Sequence, residues 1–198
     1  MTTRSLLIAC AVDPRDPAAL ALAGVAATAI ERFGTGLLPL PGLGAAATHA
    51  MFSRWFPGAD ALLRLDWARL DGAERAEPRR DEIDDLVALL RDHASAAAGP
   101  SVASDAVAYA LACASLGNDH LWQDLHLPSR RELSALIGHW FPALAMRNTQ
   151  DMKWKKFFYK QLCEREELFI CKAPSCGVCT DHALCFGPED ARPVAIAG

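Results

Sequence analysis

Five of the seven cysteines lie near the C-terminus of this 198-residue chain. Cys171, Cys176, Cys179 and Cys185 are spaced C-x4-C-x2-C-x5-C, and Cys163 lies eight positions upstream. Short loops allow thiolates at these spacings to converge on one centre, and sulfur ligands select zinc, copper(I) or iron-sulfur clusters over calcium or magnesium. Because unligated thiols crowded in this way would be open to oxidation, the pattern predicts a metal site in a reducing compartment.

The spacing alone leaves the metal open. Structural zinc sites often use two C-x2-4-C pairs a dozen or more residues apart, whereas only five residues separate Cys179 from Cys185. C-x4-C-x2-C is also the spacing of the first three ligands in plant-type ferredoxins. The residues therefore favour an iron-sulfur type of cluster and keep zinc as the alternative.

The composition indicates a globular protein. The chain is 52% hydrophobic and 22% charged with a formal charge of -4, so it lacks the basic excess of a nucleic-acid binder. Two apolar runs near the N-terminus are too short to span a bilayer. We expect a cytoplasmic protein that binds neither nucleic acid nor membranes.

The elements that must position the cysteines have helical periodicity, with apolar residues repeating at three-and-four spacing. The expected fold class is all-α, a single compact helical bundle-like domain with a C-terminal cysteine-rich loop. We place the helical domain at residues 1–162, the cysteine-rich metal-binding segment at residues 163–190 and a flexible tail at residues 191–198. Proline and small residues predict fraying from Gly187 onwards.

Two helices have clear start signals. Asp16 is predicted as an N-cap with Pro17 at the first helical position, and Gly34 follows the end of that helix. Ser129 and Glu132 form an S-x-x-E capping box at the start of a later helix.

Other helix limits are predicted from weaker signals. Thr48 is expected to cap a short helix, another helix is expected over residues 59–70, and an amphipathic helix should end near His93. Ser104 is expected to cap the next helix. The last helix is expected over residues 151–162 and leads into the cysteines.

The C-terminal third of the chain resembles one known family. The run DMKWKKFFYKQLCEREELFICKAPSCGVCTDHALCFGPED, residues 151–190, resembles the C-terminal signature of the NifQ family, and its cysteine motif maps onto this chain without a gap. The upstream stretch NDHLWQDLHLPSRRELSALI resembles the family's NHLWxDLGL-type segment, with His126 where glycine is expected. Over the first 114 or so residues the resemblance is looser.

The resemblance implies a function in nitrogen fixation. A NifQ-like chain is expected to carry a molybdenum-iron-sulfur cluster of the Mo-Fe3-S4 type, formed on an iron-sulfur precursor cluster, with Cys171, Cys176, Cys179 and Cys185 as ligands. It would take molybdenum from molybdate or a molybdenum-storage source. It would donate that molybdenum to the nitrogenase cofactor scaffold (NifEN) together with the nitrogenase iron protein (NifH), as a carrier and not an enzyme.

Further candidates lie around the motif. Cys163, His120 and His182 are possible additional ligands, and His120 has the alternative of a loop histidine bonded to backbone. Trp154, Phe157 and Phe158 are expected in the core. The opposite face of this helix bears the lysines Lys153, Lys155, Lys156 and Lys160. This face is either simply solvated, or it has a function: it offsets the negative charge of a cluster, attracts molybdate or docks an acidic partner.

Two other function classes remain open from the residues. One is a helical binding or regulatory protein with a structural four-cysteine zinc site. The other is an enzyme or electron-transfer protein with an iron-sulfur cluster, although no nucleotide-binding loop or radical C-x3-C-x2-C motif is present.

Overall fold

The computed structural model describes residues 1–167 and 182–189. All regular secondary structure in these two ranges is helical, which confirms the all-α prediction. The helices are, in chain order, α1 (Thr3–Ala9), α2 (Pro17–Phe33), α3 (Ala45–Trp55), α4 (Ala59–Leu63), α5 (Trp67–Leu70), α6 (Arg80–Arg91), α7 (Ser101–Ser115), α8 (Leu121–Asp124), α9 (Arg130–Trp140), α10 (Pro142–Arg147), α11 (Trp154–Arg165) and α12 (His182–Phe186).

Helices α2 and α7 lie at the centre of the core. Both are rich in alanine and are buried on nearly all sides, as expected for helices that are apolar all round. Helix α7 packs against α2, α3, α6 and α8, while α9 and α1 pack against α2. Helix α11 packs on α6 and buries Trp154, Phe157 and Phe158, as predicted.

The strongest start signals are confirmed. The Asp16 carboxylate accepts a hydrogen bond from the Ala18 amide at 2.9 Å, and Gly34 ends α2 with φ at 81°. Ser129 caps α9 by accepting from the Arg131 amide at 3.1 Å, while its own hydroxyl donates to the Glu132 carboxylate. These caps form between residues two or three positions apart, so the sequence alone specifies them.

Two predicted caps are wrong for the same physical reason. Helix α3 begins at Ala45, and the Thr48 hydroxyl donates back to the Gly44 carbonyl at 2.7 Å from within the first turn. Helix α7 begins at Ser101, and the Ser104 hydroxyl donates to the Ser101 carbonyl at 3.0 Å. Hydroxyl side chains can bond backward to a carbonyl as readily as they cap an amide.

The single helix predicted over residues 59–70 is two short helices. Arg64 adopts the left-handed conformation, with φ at 57° and ψ at 42°, and ends α4 after Leu63. Asp66 then caps α5 by accepting from the Arg69 amide at 3.3 Å.

The last long helix starts three residues later than predicted. The Asn148 side chain donates to the Met152 carbonyl at 2.9 Å and accepts from its amide at 2.8 Å, while Asp151 has φ at 54°. These contacts hold residues 148–152 in a loop, so α11 begins at Trp154. The helix continues to Arg165, across the position predicted to divide the helical domain from the cysteine-rich segment.

None of the helices in the described ranges combines the length and apolar character required to cross a membrane.

Candidate functional site

The described residues include one of the four motif cysteines. Cys171, Cys176 and Cys179 lie outside the described ranges, as does the predicted flexible tail, residues 191–198. Cys185 and His182 lie on α12, Cys163 lies on α11, and His120 is the residue before α8. The geometry of the site is therefore the geometry around Cys185.

Helix α12 is attached to the start of α11. The Lys153 amide donates to the Cys185 carbonyl at 2.8 Å, and the Lys153 ammonium donates to the Ala183 carbonyl at 3.3 Å. Cys185 and Phe186 are both half-buried and pack against the hydrophobic core. These contacts place the last motif cysteine at the N-terminal end of α11.

A buried charge pair holds the segment that follows α12. Glu189 is buried, and its carboxylate Oε1 lies 3.8 Å from the Nε of Arg130 on α9. Arg130 also donates to the Asp151 carbonyl at 2.9 Å and to the Met152 carbonyl at 3.1 Å, just before α11. Glu189 thus lies against the bundle, within the stretch from Gly187 where fraying is predicted; the remainder of that stretch, residues 190–198, lies outside the described residues.

A cavity of about 200 Å³ lies between α8, α11 and α12. His120 lines it from the α8 side and Leu184 from α12. Three lysines line it from the start of α11, namely Lys153, Lys155 and Lys156. The cavity thus brings the histidine and most of the lysine face identified in the sequence next to the helix that bears Cys185.

The three lysines are not equivalent. The Lys155 ammonium is held by the Asp124 carboxylate and donates to the Gly117 carbonyl at 2.9 Å, so its charge is already paired. Within residues 1–167 and 182–189, neither Lys153 nor Lys156 forms an ion pair with a carboxylate. Asp119 and the buried Glu189 also line the cavity, so the charges of Lys153 and Lys156 lie beside two carboxylates.

His120 is fixed through its backbone. Its amide donates to the Gln123 side-chain oxygen at 3.1 Å, and its carbonyl accepts from the Gln123 and Asp124 amides at 2.8 and 3.0 Å. The half-buried imidazole lines the cavity. These bonds fix His120 at the start of α8.

His126, which stands where the family resemblance suggests glycine, has φ at 56°. This is the left-handed region that glycine occupies most easily, so the residue bears a conformational cost. Two contacts offset it, since the Thr28 hydroxyl lies 3.1 Å from His126 Nε2 and Arg4 donates to the His126 carbonyl at 3.0 Å. The loop after α8 is thereby tied to α2 and α1.

Cys163 and His182 do not lie in the cavity. Cys163 is ten residues along α11 from Lys153, about 15 Å at the rise of an α-helix, whereas Cys185 contacts Lys153 itself. His182 is exposed and stacks on Phe186, with ring centroids 4.5 Å apart. The described residues therefore do not test whether Cys163 or His182 is a ligand, and both roles stay predictions.

The thiol of Cys113 has a different character from a metal ligand. Burial raises its pKa from the ordinary 9.0 to about 12, so the thiol stays protonated at neutral pH. More generally, the described ranges contain no group of three or more His, Cys, Asp or Glu side chains placed to hold a metal ion.

Sequence reasoning identified His120 and the lysines separately but missed two features of this site. It gave no indication that they share one cavity, and it did not pair Arg130 with Glu189, which is 59 positions away. No signal in the sequence singles out this pair, since Glu189 stands beside Asp190 in a run that also contains Arg192.

Comparisons with known proteins agree on one family. A protein-family model described as NifQ matches residues 21–187. The Protein NifQ of Rhodobacter capsulatus is 38% identical over 172 residues, which cover 85% of this chain and 89% of that protein. The Protein NifQ of Azotobacter vinelandii is 49% identical over 113 residues, which cover 57% of this chain and 56% of that protein.

The match extends to a further relative. The Protein NifQ homolog of Sinorhizobium fredii (strain NBRC 101917 / NGR234) is 44% identical over 133 residues, or 66% of this chain and 56% of that protein. The chain thus spans little more than half the length of some curated relatives it matches and most of the length of another. No solved structure matches the chain.

Proposed function

Because the chain belongs to the NifQ family, which implies a role in nitrogen fixation, we propose that it carries a molybdenum-iron-sulfur cluster and donates molybdenum for nitrogenase iron-molybdenum cofactor synthesis. The cluster is cargo that the protein binds and releases. The observation that carries this proposal is the C-x4-C-x2-C-x5-C motif, whose last member, Cys185, is attached to the helical core beside a lysine-lined cavity.

The ligand chemistry suits such a cargo. Thiolates are soft ligands that bind iron in iron-sulfur clusters. A cubane of three irons and one molybdenum requires three thiolates on iron, which leaves the molybdenum with the fourth cysteine, a histidine or an exchangeable ligand. An exchangeable position lets the molybdenum leave without dismantling the protein around it.

The surroundings of Cys185 favour an anionic cargo. Thiolates and sulfides make a cluster negative, and each uncompensated ammonium nearby lowers the cost of holding that charge. Lys153 contacts α12 directly, and Lys156 lines the same cavity. Cys185 is half-buried against the core, so part of its surface stays accessible to a cluster.

The remaining roles follow from the family resemblance. We expect the molybdenum to come from molybdate or a molybdenum-storage source and to pass to the cofactor scaffold NifEN together with the iron protein NifH, in the cytoplasm. The protein acts as a carrier, since it binds and delivers a cluster without turning over a substrate.

The decisive experiment is metal analysis of full-length protein purified without oxygen from molybdate-supplied cells, with a visible spectrum of the same sample. We expect iron and molybdenum together with sulfide-to-iron absorption. Cys176→Ala and Cys185→Ala should lose most of the metal and the absorption. Cys113→Ala is the matched control and should keep both, because its thiol is protonated and packed against the core.

The outcome that overturns the proposal is equally clear. Protein that contains zinc alone and stays colourless after anaerobic reconstitution with iron, sulfide and molybdate would be a structural zinc protein. Cys163→Ala tests the boundary of the ligand set, and we expect it to keep the cluster because Cys163 lies at the far end of α11 from Cys185.

A further inference from the structure

We propose that Arg130 on α9 is a positioning residue for Cys185 and holds this motif cysteine against the bundle before any cluster is bound. The role of Cys185 as a cluster ligand rests on the function proposed above. Its placement by Arg130 belongs to the cluster-free chain, so it can be tested without the cargo.

A chain of two hydrogen bonds runs from Arg130 to the backbone of Cys185. The guanidinium donates to the Met152 carbonyl at 3.1 Å, and the Lys153 amide donates to the Cys185 carbonyl at 2.8 Å. The Met152 carbonyl and the Lys153 amide belong to one planar peptide unit, so the bond from Arg130 orients the group that holds Cys185. Bonds linked in series through one peptide also polarise and strengthen one another.

Arg130 contacts the chain on the other side of Cys185 as well. The Glu189 carboxylate follows α12 and lies 3.8 Å from the Nε of Arg130. The same guanidinium donates to the Asp151 carbonyl at 2.9 Å and pairs with the Asp151 carboxylate at 2.7 Å. One side chain thus joins the residues that precede α11 to the residues that follow Cys185.

The burial of Glu189 depends on this arginine. The Glu189 side chain is 4% exposed, and among the described residues its only ion pair is with Arg130. Its Oε2 atom and the Arg130 Nε have no hydrogen-bond partner among those residues, so the pair is incompletely satisfied. A buried carboxylate that loses its cation is costly, and it regains solvation by leaving the bundle. Because Glu189 is four positions after Cys185, its departure would loosen α12.

The bonds that attach α12 leave the thiol of Cys185 unused. The Lys153 amide bonds the Cys185 carbonyl, the Lys153 ammonium donates to the Ala183 carbonyl, and the Gly187 amide donates to the same carbonyl at 2.9 Å. The sulfur takes part in none of these three bonds. A ligand held in place beforehand reduces the ordering cost of binding, so Arg130 prepares Cys185 to receive a cluster.

The test measures how fast Cys185 is alkylated in the reduced, cluster-free full chain. Timed labelling with N-ethylmaleimide, followed by mass spectrometry of the peptides, reports each cysteine separately. We expect Arg130→Ala to raise the Cys185 rate about tenfold, because the half-buried thiol becomes exposed when α12 detaches. Loss of a cation by itself favours the neutral thiol and slows alkylation, so a faster reaction reports exposure.

The next residue along α9 provides the matched control. The Arg131 side chain is 91% exposed and forms its ion pair with the adjacent Glu132 at 3.5 Å. Arg131→Ala should therefore leave the labelling of Cys185 at the wild-type rate. Cys163, toward the other end of α11, is labelled in the same samples, and its rate should be the same in both variants and the wild type.

Two further variants separate positioning from a general loss of stability. Arg130→Lys keeps the charge but replaces the guanidinium by a single ammonium, so the Cys185 rate should lie between those of the wild type and Arg130→Ala. Adding Glu189→Gln to Arg130→Ala removes the uncompensated carboxylate and should reverse part of the increase. The recovery is partial because the bond to the Met152 carbonyl is still missing.

Three results overturn the inference. One is a wild-type rate for Cys185 in Arg130→Ala with unchanged helical circular dichroism. Another is an equal rise at Cys163, which would report loosening of the whole bundle. The third is an equal effect of Arg131→Ala. If Arg130→Ala does not fold, Arg130→Gln takes its place, and the same three results decide.

Failure of this inference can be told apart from failure of the proposed function. If the wild-type protein acquires iron and molybdenum while Arg130→Ala leaves the labelling of Cys185 unchanged, the inference fails and the proposed function stands. If the labelling changes as expected but the protein contains zinc alone, Arg130 positions a cysteine of a zinc site and the carrier function fails.

Discussion

Replacement of Gly24 by alanine tests the packing that positions α8. A Cβ at Gly24 would lie 2.7 Å from the Leu125 carbonyl oxygen and 2.9 Å from both Cβ and Cδ2 of His126. The carbonyl belongs to the backbone and cannot rotate away. Gly24→Ala must therefore push the loop after α8 away from α2, together with the contacts of His126 to Thr28 and Arg4.

Two effects of opposite sign determine how much Gly24→Ala changes the free energy of unfolding. Alanine in a helix interior is about 0.5–1 kcal/mol more favourable than glycine, which would stabilise the protein. Overpacking a core contact costs about 1–3 kcal/mol. We expect the contact to dominate and the free energy of unfolding to fall by about 1–2 kcal/mol.

The same substitution at Gly138 is the control. Gly138 lies within α9, and a Cβ there would meet nothing within 4 Å. Gly138→Ala should therefore raise the free energy of unfolding by about 0.5–1 kcal/mol through helix propensity alone. Urea unfolding of both variants with an unchanged m-value measures the contrast.

A second substitution identifies the atoms responsible. His126→Gly removes two of the three close contacts of the new Cβ and leaves the Leu125 carbonyl, so Gly24→Ala should cost less in that background by about 1 kcal/mol without becoming favourable. The reasoning is refuted if Gly24→Ala stabilises the wild-type protein as Gly138→Ala does. It is also refuted if the two substitutions at Gly24 and His126 are simply additive.

Two further predictions concern charges that join helices. The Arg79 guanidinium, with help from the Tyr159 hydroxyl, holds the pKa of Glu82 below its ordinary 4.5, so this carboxylate stabilises the fold at neutral pH and loses that contribution as the pH falls below about 4.5. Glu82→Gln should lower the free energy of unfolding by about 1 kcal/mol at pH 7. Urea titrations at pH 7, 4.5 and 3 should show the difference between variant and wild type shrinking as the pH falls. A difference that does not change with pH contradicts this prediction. Arg130→Ala should cost about 3 kcal/mol because it leaves Glu189 buried without its cation, and adding Glu189→Gln should recover part of that loss in the same assay. No recovery would mean that the Glu189 carboxylate is solvated.

Local signals in the sequence were enough for some elements. Asp16, Gly34 and Ser129 mark helix limits correctly because their partners lie within a few residues. Thr48 and Ser104 did not, because a hydroxyl bonded back to a carbonyl and a hydroxyl bonded forward to an amide have the same sequence signal. The left-handed Arg64, which divides the helix predicted over residues 59–70, has no glycine or asparagine to announce it.

The family, the helical class and the cysteine motif are properties of the sequence itself, because periodicity and spacing are read along the chain. The cavity is a property of the tertiary structure. His120 and Lys153 lie 33 positions apart, and Arg130 and Glu189 lie 59 apart, so only the packing of α8, α9, α11 and α12 brings them together. Whether a lysine is paired with a carboxylate, as Lys155 is, or forms no ion pair among the described residues, as is the case for Lys156, depends on which carboxylates the fold places within reach.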